Sequence, residues 1–545
     1  APACFQAHAI PQDDRAKVVF KCLDSSDMTA RVAHHQCDNI GLMRHAPPAR
    51  FLITSILLAA PLHGSELRIF LSDENHRAVA GRLEVHGSDG KMYQADGSLL
   101  SRRPGRTDAG SPYLSSFVIQ NSGIVKVPPG RYRVIAERGL EYKRVTRDVA
   151  VEEGESARVQ IQLSPWIRMR ERGWWSGDMH VHRPMEEMPL LLEAEDLNLG
   201  IVFTMWNRQN LWQHTTLPSD WIRKTGEHRW MTVTNAEDER GGGAWMTHGL
   251  RTALGLESVV PAGKPVTESW DPPGIEFVRK ARSERVDLFP WFDLEKPIWW
   301  EAPVMMALER PDSIGLLNNH YDQYGMYNNE AWARKRDVTR FSGLHGFSDY
   351  SLHLIYRFWN LGWMVTPSAG AASGVLPNPV GYNRMYVKID GEFSVEKWYR
   401  AVKAGRVFLS NGPILFFEPR IDQGRLLGRI EAISRNELDR VEIVANGKVI
   451  KSWKTSGRQF RAALDENVEQ HSWVAARCYE RNDMTVRLAH TAPIKLPGRW
   501  NAREEDAGYY REWIEELQRN PKTPAGTKAG ELYRQAIAVY RELEK

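Results

Sequence analysis

The chain has 545 residues, 42% of them hydrophobic and 26% charged, more than one hydrophobic core organises, so two to four domains are expected. Its 72 Lys and Arg against 68 Asp and Glu leave a net charge of +4. That surplus is too small to argue for a nucleic-acid partner or a charged membrane surface.

From Met43 the chain reads MRHAPPAR-FLITSILLAAPL-HGSE: a short basic stretch, an apolar run, then small residues at Gly64 and Ser65. This is the build of a secretory signal peptide over residues 43–64, too short to leave a stable membrane span in the mature chain. The competing reading is a buried hydrophobic strand. Residues 1–42 show no periodicity, precede a natural start, and hold three of the four cysteines; they read as a non-native extension. The mature chain is then secreted or periplasmic, keeps only Cys478, and forms no intrachain disulfide.

Residues 66–165 alternate and turn often. VPPGRYRVIAER is a strand pair pinned by a Pro-Pro-Gly turn, and ARVQIQL is a period-2 strand, so a small β-sandwich is expected here. From residue 172 to 415, helix-like stretches (MPLLLEAEDLNLG, PPGIEFVRKARSER) alternate with apolar runs (IVFTM, RWMTVTNAED, VDLFPWFDLE, DSIGLLNNH). That alternation predicts a parallel α/β barrel or sheet with its chemistry where strands end. Residues 416–497 read as a second β-sandwich. Residues 498–545 read as a helical hairpin docked through Tyr510, Trp513, Ile514 and Leu517, which share one helical face. Twenty Trp are unusual; most are expected in cores, with Trp299 and Trp300 candidates for a substrate cleft.

The strongest chemical signal is GWWSGDMHVHRP (173–184). In an extended segment His180 and His182 point to one side and can reach one metal ion, with Asp178 on that side to orient a ligand. The next strand ends supply Glu237, then a Gly-rich, flexible turn and His248; VDLFPWFDLEK supplies Asp293, Glu295 and Lys296; DSIGLLNNH closes on His320. The competing readings are a structural histidine pair and a solvated acidic loop. Taken together, His180, His182, Glu237, His248 and His320 suit one or two divalent ions, and zinc, manganese and iron fit these donors alike. Asp293 or Glu295 can then take or return a proton, and Lys296 or Arg183 can offset developing negative charge. GVLPNPVGYNR (374–384) either borders the cleft or forms a rigid turn. The chain carries no G-x-S-x-G elbow, no phosphate-binding Gly-rich loop ending in Lys-Ser/Thr, and no H-E-x-x-H helix.

With GDMHVH, the Glu237…His248 pair, GYNRMYV (381–387) and GRVFLSNGP (405–413), the chain resembles the CehA/McbA branch of the PHP (polymerase and histidinol phosphatase) metallohydrolases over residues 172–415. The flanking β modules are in keeping with that branch, the first resembling a carboxypeptidase-regulatory-like sandwich. The resemblance implies a distorted (β/α)7 barrel binding up to three divalent ions, and hydrolysis of a phosphoester, ester or carbamate. Where the family has a T-D-H-N-like strand end this chain has Thr204-Met205-Trp206-Asn207; where it has a late D-x-H-like pair this chain has Pro367-Ser368-Ala369-Gly370-Ala371; and Glu295-Lys296-Pro297 replaces an Ala-His-Pro segment. One or two ions are therefore implied rather than three. The expectation is an exported metal-dependent hydrolase of an ester-like bond in a small-molecule or glycan-derived substrate. The alternative is a catalytically silent ligand- or glycan-binding envelope protein.

Overall fold

The computed structural model describes residues 64–100, 116–260, 263–497, 503–519 and 528–545. The segment read as a signal peptide, up to residue 63, and the extension read before it lie outside the described residues.

Burial alternates along Glu66–Ser72, where Leu67, Ile69 and Leu71 turn inward, and along Ser156–Gln162, where Ala157, Val159 and Ile161 do. This is the period of a strand with one face in a core. With Ser122–Lys126 these strands form one sheet; Gly81–Gly87, Phe117–Ile119, Gly130–Glu137 and Val145–Val151 carry the other. The two sheets close over Leu83, Val85, Val134 and Ala136. All pairings here are antiparallel except that of Glu66–Ser72 with Ser156–Gln162. A buried ionic cluster joins this sandwich to the rest: Arg82 donates to Glu195 Oε1 at 2.8 Å and to Glu137 Oε2 at 2.7 Å, and Arg435 lies 3.2 Å from Glu137. Burial alone would raise the Glu137 pKa, but Arg82 and Arg435 hold it far below the usual carboxylate range.

The centre is one large mixed sheet. Trp174–Val181, Leu199–Trp206 and Arg229–Arg240 are parallel neighbours. Gly243–His248 returns antiparallel, Trp291–Leu294 is antiparallel to that, and Ser313–Leu317 and Thr366–Ala369 follow in parallel. On the other side of Trp174–Val181 come Arg384–Lys388 and Val407–Ser410, both antiparallel.

This architecture overturns the expected (β/α)7 barrel. Strand is the dominant regular structure, and the described residues form seven α-helices, none longer than 16 residues. A parallel crossover takes a dozen or more residues, whereas two glycines separate Arg240 from Gly243, so the chain turns back as a hairpin. Between Trp206 and Arg229 short strands, Gln209–Asn210 and Ile222–Gly226, stand where a helix was needed.

The central sheet does not end with the strands that precede residue 415. The central sheet continues through Leu488–Thr491, Trp473–Glu480, Leu438–Ala445 and Lys448–Lys454. Ile414–Asp422, Arg425–Ile433 and Gln459–Asn467 form a separate three-stranded sheet sharing a core with that extension. Cys478 is buried there as a free thiol.

Glu504–Arg519 buries Tyr510, Trp513, Ile514 and Leu517, and Lys528–Leu543 buries Leu532, Tyr533, Ala536, Ile537 and Tyr540. Tyr510 stacks on Phe358 at 4.1 Å between centroids, and the Tyr540 hydroxyl donates to the Pro303 carbonyl at 2.9 Å. No helix among the described residues is long and apolar enough to cross a membrane.

Tyr533 donates to Glu301 Oε1 at 2.6 Å, and the Glu301 amide donates to the Gly242 carbonyl at 3.0 Å. Burial raises the Glu301 pKa to about 7, against the Tyr533 hydrogen bond and the Arg240 charge; Asp238 adds to the rise. A carboxyl whose folded pKa is raised contributes stability that is complete below its unfolded pKa and is lost as pH rises through the folded value. Stability is therefore expected to fall between pH ~4.5 and ~7 by an amount on the order of 3 kcal/mol from this group. Glu301→Gln should flatten that part of the profile, as read by urea unfolding across the range.

Candidate metal centre

Trp174–Val181 is buried along nearly its whole length, as an interior strand with neighbours on both sides and chain packed on both faces must be. Alternation brings Asp178, His180 and His182 to one side of it. The His180 and His182 Nε2 atoms lie 2.9 Å apart. Glu237 arrives from the second strand over, near the end of Arg229–Arg240, where it is in register with Trp206. Its Oε2 lies 2.9 Å from His182 Nε2 and 3.4 Å from His180 Nε2.

His180, His182 and Glu237 can hold a metal ion: their donor atoms all lie within 4.8 Å of one another. The spacing is the first test of fit. An ion ~2.0–2.1 Å from each donor keeps neighbouring donors about 3.0–3.4 Å apart, close to what is seen. The second test is Glu237 Oε2 itself, a buried oxygen that makes no hydrogen bond of good geometry despite its closeness to both imidazoles. The two Nε2 atoms lie within hydrogen-bond distance of each other, and Glu237 Oε2 closes the group. The electrostatics agree. Burial opposes charge on His180, yet Glu237 and Glu295 outweigh it and raise its pKa; burial opposes charge on Glu237, yet His180 and His182 hold its pKa far below the usual range. The centre attracts positive charge.

Asp178 does something other than orient an imidazole. Its Oδ1 accepts the amides of His180 at 2.9 Å and Ala371 at 3.1 Å, and its Oδ2 accepts that of Gly381 at 2.7 Å. It fixes the end of the histidine strand to two loops, and burial raises its pKa to about 6 despite those bonds. The 374–384 segment is thus a tied turn. The 370–374 segment lies flush on the strand: Ala372 N donates to the His180 carbonyl at 2.7 Å, and Ser373 O accepts from His182 N at 2.8 Å. A Cβ on Gly370 would stand 2.3 Å from His180 Cβ, so a ligating side chain has no room at that position.

The carboxylate behind His180 is Glu295. Its Oε1 faces His180 Nδ1 at 3.7 Å, on the side of the ring away from the ligand edge. Lys296 Nζ donates to both Glu295 oxygens at 2.6 Å, and Trp299 Nε1 donates to Oε2 at 3.0 Å. Trp299 is 1% exposed, so it is a support of the centre and not part of an open cleft. Asp293 is buried deeper, accepting from Ser313 Oγ at 2.5 Å, with burial lifting its pKa to about 6. Arg183 is buried and pairs with Glu187 at 2.8 Å.

His248 and His320 are not in the ligand group. His248 hydrogen-bonds the Tyr399 hydroxyl through Nδ1 at 2.9 Å, and burial with the nearby His180 charge lowers its pKa to about 3. His320 Nδ1 pairs with the Tyr327 carbonyl at 2.8 Å, and its ring stacks on Phe347 at 4.4 Å. The Gly-rich turn before His248 is tightly packed, not flexible: Gly243 sits at φ +142°, where a Cβ would meet Trp299 at 2.4 Å.

Three residues that shape the centre, Phe203, Trp206 and Tyr399, carried no local signal, whereas Glu239 was visible beside Glu237 at the strand end. Phe203 contacts the imidazoles of His180, His182 and His248. Trp206 lies 4.7 Å from His182 and donates from Nε1 to Glu239 Oε2 at 3.1 Å. Glu239 is itself lifted to a pKa of about 7 by burial and by Glu237. Tyr399 reaches His248 from the helix Val395–Lys403, 151 residues away. The strand order brings them together; only the ends of apolar runs were visible in the sequence.

No protein-family model matches the chain, and no curated protein matches it.

Proposed function

We propose that the protein is an exported, metal-dependent hydrolase related to the CehA/McbA branch of the PHP metallohydrolases, acting on an ester-like bond of a small-molecule or glycan-derived substrate. The observation that carries this reading is the buried convergence of His180 Nε2, His182 Nε2 and Glu237 Oε2 within 2.9–3.4 Å. The kinship rests on the GDMHVH, GYNRMYV and GRVFLSNGP segments, not on a barrel. Imidazole and carboxylate donors suit zinc, manganese or iron. A divalent ion held there supplies Lewis acidity and water activation.

The chain's own residues do the rest. Glu295 favours the His180 tautomer that presents Nε2 to the ion, and Lys296 and Trp299 hold Glu295 in place. Asp178 fixes the strand end on which both histidines ride. Phe203 and Trp206 wall the imidazoles with apolar surface, which strengthens electrostatic interactions inside. The Glu239 carboxyl, at the outer edge beside Trp206, is placed to exchange a proton with substrate.

The test is hydrolysis of p-nitrophenyl esters, carbamates and phosphates by the full chain loaded with zinc, manganese or iron. Turnover should be abolished by chelator, restored by metal, and lost in His180→Ala. Turnover that survives both treatments refutes the reading.

One observation favours a second reading, ligand binding without turnover. The triad is enclosed, with His180 and Glu237 at 3% and 2% exposure, while clefts of about 390 and 880 Å³ open on the N-terminal sandwich. On that reading a bound ligand stays bound with chelator and in His180→Ala.

A further inference from the structure

We infer that Phe203 limits the centre to a single metal ion by filling the space through which His248 would otherwise join the ligand set; this rests on the metal-centre reading above. Phe203 lies on Leu199–Trp206, the strand between those of His180 and Glu237, opposite Asn235 in register. Its ring is stacked against His182 (5.4 Å, 26°) and edge-on to both His180 (5.4 Å) and His248 (5.7 Å, 76°). One benzyl group is therefore the shared neighbour of three imidazoles, with His180 and His182 on the ligand side and His248 outside it.

The state of His248 shows what the ring displaces. Its Nδ1 is taken by Tyr399, and its Nε2 is wholly buried with no hydrogen-bond partner. Asp293 Oδ1, whose carboxyl feels the His180 charge, is a second buried atom in that condition. Buried polar atoms are nearly always paired, and an imidazole nitrogen with a buried carboxylate oxygen are the donors a second ion would use. An apolar ring offers neither a donor nor room for water. The Phe203 side chain thus leaves one complete three-donor set and one stranded histidine.

The experiment is metal stoichiometry on the full chain, stripped with chelator and titrated separately with zinc and manganese by calorimetry, with bound metal counted by mass spectrometry. The wild type should take one ion, and His248→Ala should also take one, with its dissociation constant within about threefold of wild type because His248 is not a ligand. Phe203→Asp should take two, the second disappearing in Phe203→Asp/His248→Ala, while Phe203→Leu should take one. Far-UV circular dichroism and a cooperative melt establish that each variant is folded. If Phe203→Asp does not fold, Phe203→Asn and Phe203→His carry the same test: a second ion that depends on His248 supports the role of Phe203, and a single ion in a folded variant overturns it. Two ions in the wild type, loss of the ion in His248→Ala, or a folded Phe203→Asp that still takes one ion overturns the role of Phe203 and leaves the metal centre standing. No stoichiometric ion in the wild type overturns the metal centre itself.

Discussion

Lys296→Met is expected to destabilise the folded chain by about 3–5 kcal/mol. The Lys296 ammonium lies 2.6 Å from both oxygens of Glu295, and the two side chains are 4% and 1% exposed. It also sits 4.8 Å over the Trp299 ring. Removing it strands a carboxylate in the interior with the Trp299 indole N–H as its one hydrogen bond in this set, and desolvation then goes uncompensated. The double variant Glu295→Gln/Lys296→Met should recover much of the loss, because two neutral groups of similar size leave no lone charge behind. Urea unfolding of wild type, single and double variants at pH 7 measures this. A single variant within about 1 kcal/mol of wild type, or a double variant as unstable as the single, contradicts the account of this pair.

Glu295→Gln is expected to weaken metal affinity about 10- to 100-fold while leaving the stoichiometry unchanged. The reason is the order Glu295–His180–ligand edge: Oε1 stands 3.7 Å from His180 Nδ1, and Nε2 faces His182 and Glu237. A carboxylate behind an imidazole favours the proton on Nδ1 and raises the basicity of Nε2; an amide supports this more weakly and no longer balances Lys296. Asp178→Asn is the informative contrast. Asp178 accepts three backbone amides and bonds no imidazole, so its loss should lower stability more than it lowers affinity for metal. Competition against a chromophoric chelator, run beside thermal melts, separates the two. If Asp178→Asn weakens affinity and Glu295→Gln does not, the orienting role belongs to Asp178 after all.

The parts of the site legible in the sequence are those encoded by local period. Two histidines two residues apart at the end of an apolar run must share a side if the run is a strand, and His180 and His182 do. Glu237 was legible for the same reason, as a carboxylate closing RWMTVTNAE. The alternation of apolar and helix-like stretches was misread as a barrel because period reports strand and helix, not which strands pair. Gly241 and Gly242 make a hairpin where a crossover was expected, and that one turn reverses the direction of the His248 strand. Asp178, and not Glu295, was read as the orienting carboxylate for a related reason. Both are carboxylates near an imidazole in sequence or by motif, and only the path of the 370–381 segment shows that Asp178 is consumed by amides. Phe203 and Tyr399 were invisible because a phenyl group in an apolar strand and a tyrosine in an amphipathic helix are what packing alone would place there.

The most direct test of the central claim is the metal content of the wild-type chain, purified without a histidine tag and supplied with zinc, manganese or iron, beside His180→Ala/His182→Ala and Glu237→Ala. Inductively coupled plasma mass spectrometry should find one divalent ion per wild-type chain and none retained at stoichiometric level in either folded variant. A wild type that holds no stoichiometric ion under any of the three metals, or variants that retain as much as the wild type, contradicts the assignment of His180, His182 and Glu237 as a metal centre.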